Sequence, residues 1–165
     1  MSRLLCACLL GASVSFPAAA TDWSPCPNWD AKDGYTVFAS PYTHHWSDEN
    51  ASQHQQVLAA SVSRRLPNDR FCGFSLFRNS FGQPSAYAFT GWSWNQLFQT
   101  PLYLNVTAGI IYGYVGEHRE KVPLNVNGFS PVVIPSLGYQ LTPQLGVEVQ
   151  ILGTAAVMFG ASWRF

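Results

Sequence analysis

The sequence predicts an all-β fold: an eight-stranded antiparallel transmembrane β-barrel preceded by a cleaved signal peptide. Three observations predict this class. Apolar residues alternate with polar or small ones through residues 145–165, which is the period of a strand with one apolar face. Only 11% of the residues are charged, whereas 15% are aromatic. The chain starts with an export signal, yet no apolar run is long enough for a membrane-spanning helix.

The first residues have the parts of a signal peptide. Arg3 supplies the positive start, a mostly apolar stretch follows, and three alanines at 18–20 offer a small-residue cleavage site. The mature chain is then short enough for one domain. The predicted organisation is a signal peptide (1–20), a periplasmic N-terminal segment (21–34) and an outer-membrane barrel (35–165).

Charge and cysteine usage limit the partners and the compartment. Nine basic residues balance nine acidic ones, and this net charge of zero argues against nucleic acid as a partner. Cys26 and Cys72 remain after cleavage, and an oxidising periplasm would allow them to pair. Two cysteines do not decide the matter, because Cys72 is equally well explained as a small apolar strand residue.

Eight segments have the periodicity of strands. The clearest begins at Leu102, where Leu104, Val106, Ala108 and Ile110 share one face and mostly polar or small residues occupy the other. The predicted strands are 35–42, 56–63, 71–77, 86–94, 102–114, 131–139, 145–151 and 155–165.

The connections between these strands sort by length. An even number of strands brings both chain ends to one side of a barrel, the periplasm. Long outer loops and short periplasmic turns are typical of membrane barrels. The predicted turns are 64–70, 95–101 and 140–144, and the predicted outer loops are 43–55, 78–85, 115–130 and the short 153–154. Aromatic residues near strand ends are expected in interfacial girdles: Trp92, Trp94, Tyr112, Tyr114, Trp163 and Phe165. A soluble β-sandwich with a similar strand count is the alternative.

Two predicted outer loops carry groups suited to acyl transfer. The first contains His44 and His45, and the second contains Ser80. An imidazole can take a proton from a hydroxyl while nearby donors stabilise charge on an ester oxygen. The competing interpretation is that these are solvated loop residues.

The chain resembles known membrane proteins in two ways. Its aromatic last residue, Phe165, resembles the terminal Phe of bacterial outer-membrane β-barrels. The stretch from Tyr35 to His45 and the element Phe77-Arg-Asn-Ser80 resemble the first strand and the loop after the third strand of the lipid A palmitoyltransferase (PagP) family. Further similarity to that family's fifth and sixth strands lies in Asn105-Val-Thr-Ala-Gly109, Val122-Pro-Leu124, Ile134-Pro135 and Gly138-Tyr139.

That resemblance implies a function. A family member is a monomeric barrel in the bacterial outer membrane that moves a palmitoyl chain from a phospholipid to a hydroxyl of lipid A, without cofactor or metal. Its essential His, Asp and Ser correspond to His45, Asn79 and Ser80. Asn79 departs from the family, because an amide can hydrogen-bond to an imidazolium but cannot balance its charge. Either the activity is weak, altered or absent, or Asp48 or Glu49 supplies the carboxylate.

Other functions stay open at this point. The histidines of the first loop, with Asp48 and Glu49, are candidate metal ligands, but their spacing fits no known site. Lys121 and Arg119 in the third loop are candidates for contacting lipopolysaccharide phosphates. A small outer-membrane channel or a non-catalytic structural barrel are the alternatives to the enzyme.

Strand parity and proline placement predict the character of the wall and the lumen. Proline lacks a ladder donor, so Pro41, Pro131 and Pro135 weaken strand pairing, and such gaps would let a lipid tail enter sideways as in the resembled family; Pro143 fits a turn. The predicted interior is lightly charged, with Glu148 and Arg164 inward. Its other predicted members are Phe71, Gly73, Ser75, Phe77, Tyr103, Thr107, Gly109, Met158, Gly160 and Ser162.

Overall fold

The computed structural model describes Cys26, residues 34–46 and residues 55–165. These residues form a closed barrel in which each of eight strands pairs antiparallel with its neighbours in the chain, and the last strand pairs with the first. The strands are β1 (Tyr35–His45), β2 (Leu58–Arg65), β3 (Arg70–Arg78), β4 (Pro84–Leu97), β5 (Leu102–Tyr112), β6 (Phe129–Gln140), β7 (Leu145–Leu152) and β8 (Ala156–Arg164). One short 3-10 helix, Gly116–Lys121, lies between β5 and β6.

The predicted fold class and all eight predicted strands are confirmed, with shifted ends. β1 continues to His45 and β4 to Leu97, beyond the predicted limits. β5 ends at Tyr112 and not at residue 114, because Gly113 has a φ of 134° that no strand residue adopts. A one-residue excess in β1, between Ala39 and Tyr42, is a bulge that the alternation did not reveal.

The connections lie at the two ends as predicted. The longer connections, 46–57 and 113–128, lie at one end together with 79–83 and the hairpin 153–155; we call this the outer end. The turns 66–69, 98–101 and 141–144 lie at the opposite, inner end with both ends of the barrel chain. There Phe165 donates its backbone N–H to the carbonyl of Tyr35 at 2.9 Å, which closes the seam between β8 and β1.

The exterior of the barrel is apolar. Large side chains on alternate strand positions face outward and are exposed, as expected for a wall in contact with lipid tails. Most of the exposed aromatics form two bands, and Phe74 lies between them in the middle of β3. The outer band consists of Tyr42, Trp46, Tyr112, Phe129 and Phe159, and the inner band consists of Trp92, Trp94, Phe98, Tyr139, Trp163 and Phe165. Tyr114 is the exception to the predicted girdle, because its ring packs edge-on against Phe81 and lines the interior.

The interior alternates as strand parity predicts, and glycines make room for aromatic rings. A Cβ atom at Gly160 would collide with the ring of Phe38, and one at Gly138 would collide with the ring of Tyr103. Each glycine therefore allows an aromatic side chain from another strand to lie flat across the lumen.

Cys26 and Cys72 form a disulfide, with their Cα atoms 5.5 Å apart. Cys72 follows the interior residue Phe71, so its side chain is on the exterior face of β3, where it is only 1% exposed. The pairing that the sequence left open therefore joins the segment before β1 to the outer wall near the inner end. The predicted signal peptide, residues 1–20, lies outside the described residues.

Candidate functional site

A cavity of about 690 Å³ occupies the lumen. Its middle section is lined mainly by apolar side chains, and polar groups line both of its ends. At the outer end these include His45 and Ser80, and at the inner end Arg65, Asp69 and Arg164. The apolar section includes Phe38, Ala59, Phe77, Phe89, Ile111 and Met158.

His45 and Ser80, the two principal predicted site residues, line the outer end of this one cavity. His45 is the last residue of β1 and is half-buried, whereas His44 is exposed on the other face of the same strand. Ser80 lies two residues after β3 and is 8% exposed. Its hydroxyl makes no hydrogen bond with any other described residue.

The end of the first outer loop links these two parts of the rim. Gln55 donates its backbone N–H to the carbonyl of Ser80 at 2.7 Å. The carboxamide of Gln56 accepts from the N–H of Thr43 at 3.0 Å and donates to the carbonyl of Thr43 at 3.2 Å. Gln55 is bonded to Ser80, and the adjacent Gln56 is bonded to Thr43, two residues before His45. Residues 55–56 therefore connect the strand that carries His45 to the loop that carries Ser80.

Asn79, the third predicted site residue, has a buried side chain whose hydrogen bonds hold the local backbone. It is 0% exposed and does not line the cavity. Its Oδ1 accepts from the backbone N–H groups of Phe81 and Gln83, both at 3.0 Å. Its Nδ2 donates to the carbonyl of Gly113 at 3.2 Å and to Oε1 of Gln83 at 3.3 Å. The amide thus holds the turn that presents Ser80 and joins it to the β5–β6 connection.

The acidic residues proposed to compensate for Asn79 lie outside the described part of the chain. This applies to Asp48 and Glu49, and also to His54. Within the described residues, no group of three or more His, Cys, Asp or Glu side chains is placed to hold a metal ion.

A ring stack covers the outer rim beside Ser80, and the sequence did not reveal it. The ring of Phe81 stacks on His118 of the 3-10 helix, with centroids 4.3 Å apart and planes 14° apart. The ammonium of Lys121 lies 6.0 Å from the centroid of Phe81 and also lines the cavity. Burial raises the pKa of Tyr114 to about 12, so its phenol stays neutral in this cluster.

The wall is incompletely paired between β6 and β7. Their ladder runs from Gln140 with Gly146 to Ser136 with Gln150 and stops there. Gln140 donates its N–H to the carbonyl of Pro101, on the β5 side. The odd-numbered residues of β6, which include Pro131 and Pro135, therefore direct their backbone polar groups to the opposite side, toward β7. Proline has no N–H, so Pro135 cannot continue the ladder.

The cavity extends into this unpaired seam. Four consecutive residues of β6, 131–134, line the cavity, although only alternate residues of a fully paired wall would face the lumen. A second seam lies between β1 and β2, where the ladder ends at Ser40 with Ala59, just before Pro41. The ladder gaps beside Pro41 and Pro135 agree with the prediction, and Pro143 lies in an inner turn.

At the inner end, buried polar groups form a hydrogen-bonded cluster. The Tyr103 hydroxyl donates to Oε1 of Glu148 at 2.9 Å, and Ser136 donates to Oε2 at 3.4 Å. The guanidinium of Arg164 lies over the Tyr103 ring, 5.3 Å from its centroid. Glu148 and Arg164 therefore both face inward as predicted, with Tyr103 contacting each of them.

Comparisons with known proteins identify the fold alone. No family model matches the sequence, and no curated protein matches it. A solved structure described as "De novo design of transmembrane beta-barrels" is similar, with a TM-score of 0.59 at 15% identity over 82% of this chain and 98% of that chain. No helix within the described residues has the length and apolar character needed to cross a bilayer. The chain is a closed, eight-stranded antiparallel β-barrel of the transmembrane type.

Proposed function

We propose that the protein is an acyltransferase of the bacterial outer membrane that moves a fatty acyl chain from a phospholipid to lipid A. The observation that supports this proposal is that His45 and Ser80 both line the outer end of one largely apolar cavity. The resemblance to lipid A palmitoyltransferases in these same residues supports it, and no cofactor is required.

The cavity is suited to an acyl chain. Its volume of about 690 Å³ falls within the range of roughly 300–1,000 Å³ that is usual for small-molecule sites. Phenylalanine, alanine and methionine side chains line its middle, so an acyl tail would replace water against apolar surface. Its carbonyl carbon would then lie at the rim, beside the imidazole and the hydroxyl.

The unpaired seam between β6 and β7 offers a route from the bilayer. A phospholipid tail in the membrane meets the exterior of the barrel and not its mouth. A gap beside Pro135 that opens into the cavity would let the tail enter without passing through the aqueous loops.

The chemistry needs one base and no metal. An acceptor hydroxyl oxygen attacks the ester carbonyl carbon, and Nε2 or Nδ1 of His45 accepts its proton. The ester C–O bond then breaks, the proton passes to the leaving oxygen, and a lysophospholipid departs. In this direct transfer Ser80 is an orienting donor. If Ser80 is the nucleophile, its hydroxyl oxygen attacks first and gives its proton to His45, the lysophospholipid leaves with that proton, and the acceptor hydroxyl then displaces the serine oxygen from the acyl-serine ester. Asn79 positions the loop that carries Ser80. Lys121 at the rim, and Arg119 beside it, would attract the phosphates of lipid A.

The test is mass spectrometry of lipid A from cells that express wild-type protein, His45→Ala, Ser80→Ala or His44→Ala. Loss of a positioned general base lowers rates by about 10²–10⁴-fold, so His45→Ala should abolish the added acyl chain. His44→Ala is the matched control, because this neighbouring side chain points away from the cavity. Equal acylation by wild type and His45→Ala removes His45 from the mechanism, and no added chain in any strain removes the function.

A small channel is the second candidate, and one observation favours it. The cavity lining continues from Thr154 at the outer end to Leu66 and Asp69 at the inner end. Solute conductance in planar bilayers that His45→Ala leaves unchanged would select the channel. If the protein shows neither conductance nor acyl transfer, the remaining function is that of a non-catalytic structural barrel.

A further inference from the structure

Two arginines line the inner end of the cavity on neighbouring strands. Arg65 is the last residue of β2, and it shares the interior face with Phe71, its partner on β3. Arg164 is the last residue of β8 and pairs with Thr36 of β1. Only β1 separates β2 from β8 in the closed barrel, and both arginine side chains line the same end of the cavity.

Neither guanidinium has a hydrogen-bond acceptor among the residues that the structure describes. Within the described part of the chain, Arg65 and Arg164 form no side-chain hydrogen bond and no ion pair; Arg164 has only the ring of Tyr103 beneath it. The two nearby carboxylates are bound to neutral donors instead. Glu148 accepts from Tyr103 and Ser136, and Asp69 accepts from Nδ2 of Asn95 at 3.3 Å.

We propose that Arg65 and Arg164 form a binding site for a phosphate group at the inner end of the lumen. A guanidinium presents fixed, paired N–H donors that match two oxygens of a phosphate, and two guanidiniums offset its double charge. A dianion bound between the two guanidiniums would be attracted by both of them. The carboxylates of Asp69 and Glu148 at the same end disfavour a large polyanion, so we expect a single phosphate group.

This site is distinct from the acyl transfer site. Arg65 and Arg164 lie at the inner ends of their strands, whereas His45 and Ser80 lie at the outer ends. The phosphate can belong to a free solute or to a phospholipid headgroup that reaches the inner rim. The chemistry recognised is the same in both cases, and binding measurements separate the two sources.

The experiment is titration of the purified full-length barrel in neutral detergent, by isothermal calorimetry, with inorganic phosphate and separately with dihexanoyl phosphatidic acid. We expect saturable binding by wild type. Each lost guanidinium should weaken it about tenfold, so Arg65→Gln with Arg164→Gln should lose about 100-fold. Binding of inorganic phosphate identifies a solute site, and binding of the lipid alone identifies a headgroup site.

Arg64→Gln is the matched control. Arg64 is next to Arg65 but on the opposite face of β2, where its guanidinium lies 5.6 Å from the Tyr35 ring centroid and does not line the cavity. Circular dichroism checks that each variant is folded, and His45→Ala should bind phosphate like wild type. Wild-type affinity in the folded double variant, equal weakening by Arg64→Gln, or no saturable binding by wild type would each overturn the proposal.

Discussion

Asn79 occupies the position at which the resembled family has an aspartate, and its hydrogen bonds explain why an amide is used here. It accepts through Oδ1 and donates through Nδ2, and a carboxylate can only accept. The donated bond to Gly113 joins two outer connections. The resemblance predicted that this position is a site residue, whereas the structure shows the amide supporting the loop that carries Ser80.

Asn79→Asp is therefore expected to weaken the loop and not to improve catalysis. One carboxylate oxygen would face the carbonyl of Gly113 without a proton between them. A buried unsatisfied group costs about 1–3 kcal/mol, which chemical unfolding of the barrel would measure.

Asn68→Asp is the control for this change, because Asn68 lies exposed in an inner turn. Wild-type stability of Asn79→Asp together with faster acyl transfer would contradict the structural role of the amide.

Gly160 illustrates a second residue-scale constraint. Gly160→Val should destabilise the barrel by about 1–3 kcal/mol, because its side chain would overlap the ring of Phe38 inside the lumen. Ala161→Val, one residue later on the exposed exterior, should change stability by less than about 0.5 kcal/mol. The free energies of unfolding in urea compare the two, and equal values would show that the lumen has room for the added side chain.

At the scale of the element, Pro135 determines where the hydrogen-bonded ladder between β6 and β7 ends. A residue with an N–H at position 135 could donate to the carbonyl of Ile151 and extend the ladder by one rung. The structure stops the ladder one residue earlier, at Ser136 with Gln150. Position 135 can therefore either pair with β7 or leave a gap in the wall, but it cannot do both.

Pro135→Val should extend the ladder, raise stability by about 0.5–1.5 kcal/mol and reduce the proposed acyl transfer to lipid A. Amide hydrogen exchange at position 135 of the variant reports the new bond, and lipid A mass spectrometry reports the transfer. Pro143→Ala, in the inner turn 141–144, is the control and should leave transfer unchanged. Full acyl transfer by Pro135→Val, although its new amide is protected from exchange, would exclude this seam as the route for lipid.

Sequence periodicity predicted the strands well, because alternation is a local property. β5 and β8 show it most clearly, and their inward residues, such as Thr107 and Met158, line the cavity as expected. It could not predict the bulge beside Pro41 or the length of each ladder, since these depend on which residues of the neighbouring strand lie opposite.

At the scale of the whole molecule, the barrel has an apolar exterior and a lumen whose two ends differ. His45 and Ser80 at one end could be proposed from loop order and resemblance. The contacts of Phe81 with His118 and of Tyr103 with Glu148 join residues 37 and 45 positions apart, and no sequence pattern indicated them. The inner arginine pair was missed for the same reason, because β2 and β8 become near neighbours only when the cylinder closes.

The link between Cys26 and Cys72 makes a covalent ring from the part of the chain that contains β1, β2 and the connection 46–57. The disulfide closes a loop with a sequence separation of 46 in the unfolded chain. The resulting loss of chain entropy raises the free energy of unfolding by about 4 kcal/mol for a sequence separation of 46. A protease that cut the chain between β1 and β2 would open this ring without releasing a fragment. The first strand would remain joined to the third through the disulfide, so this cut alone should not dismantle the cylinder.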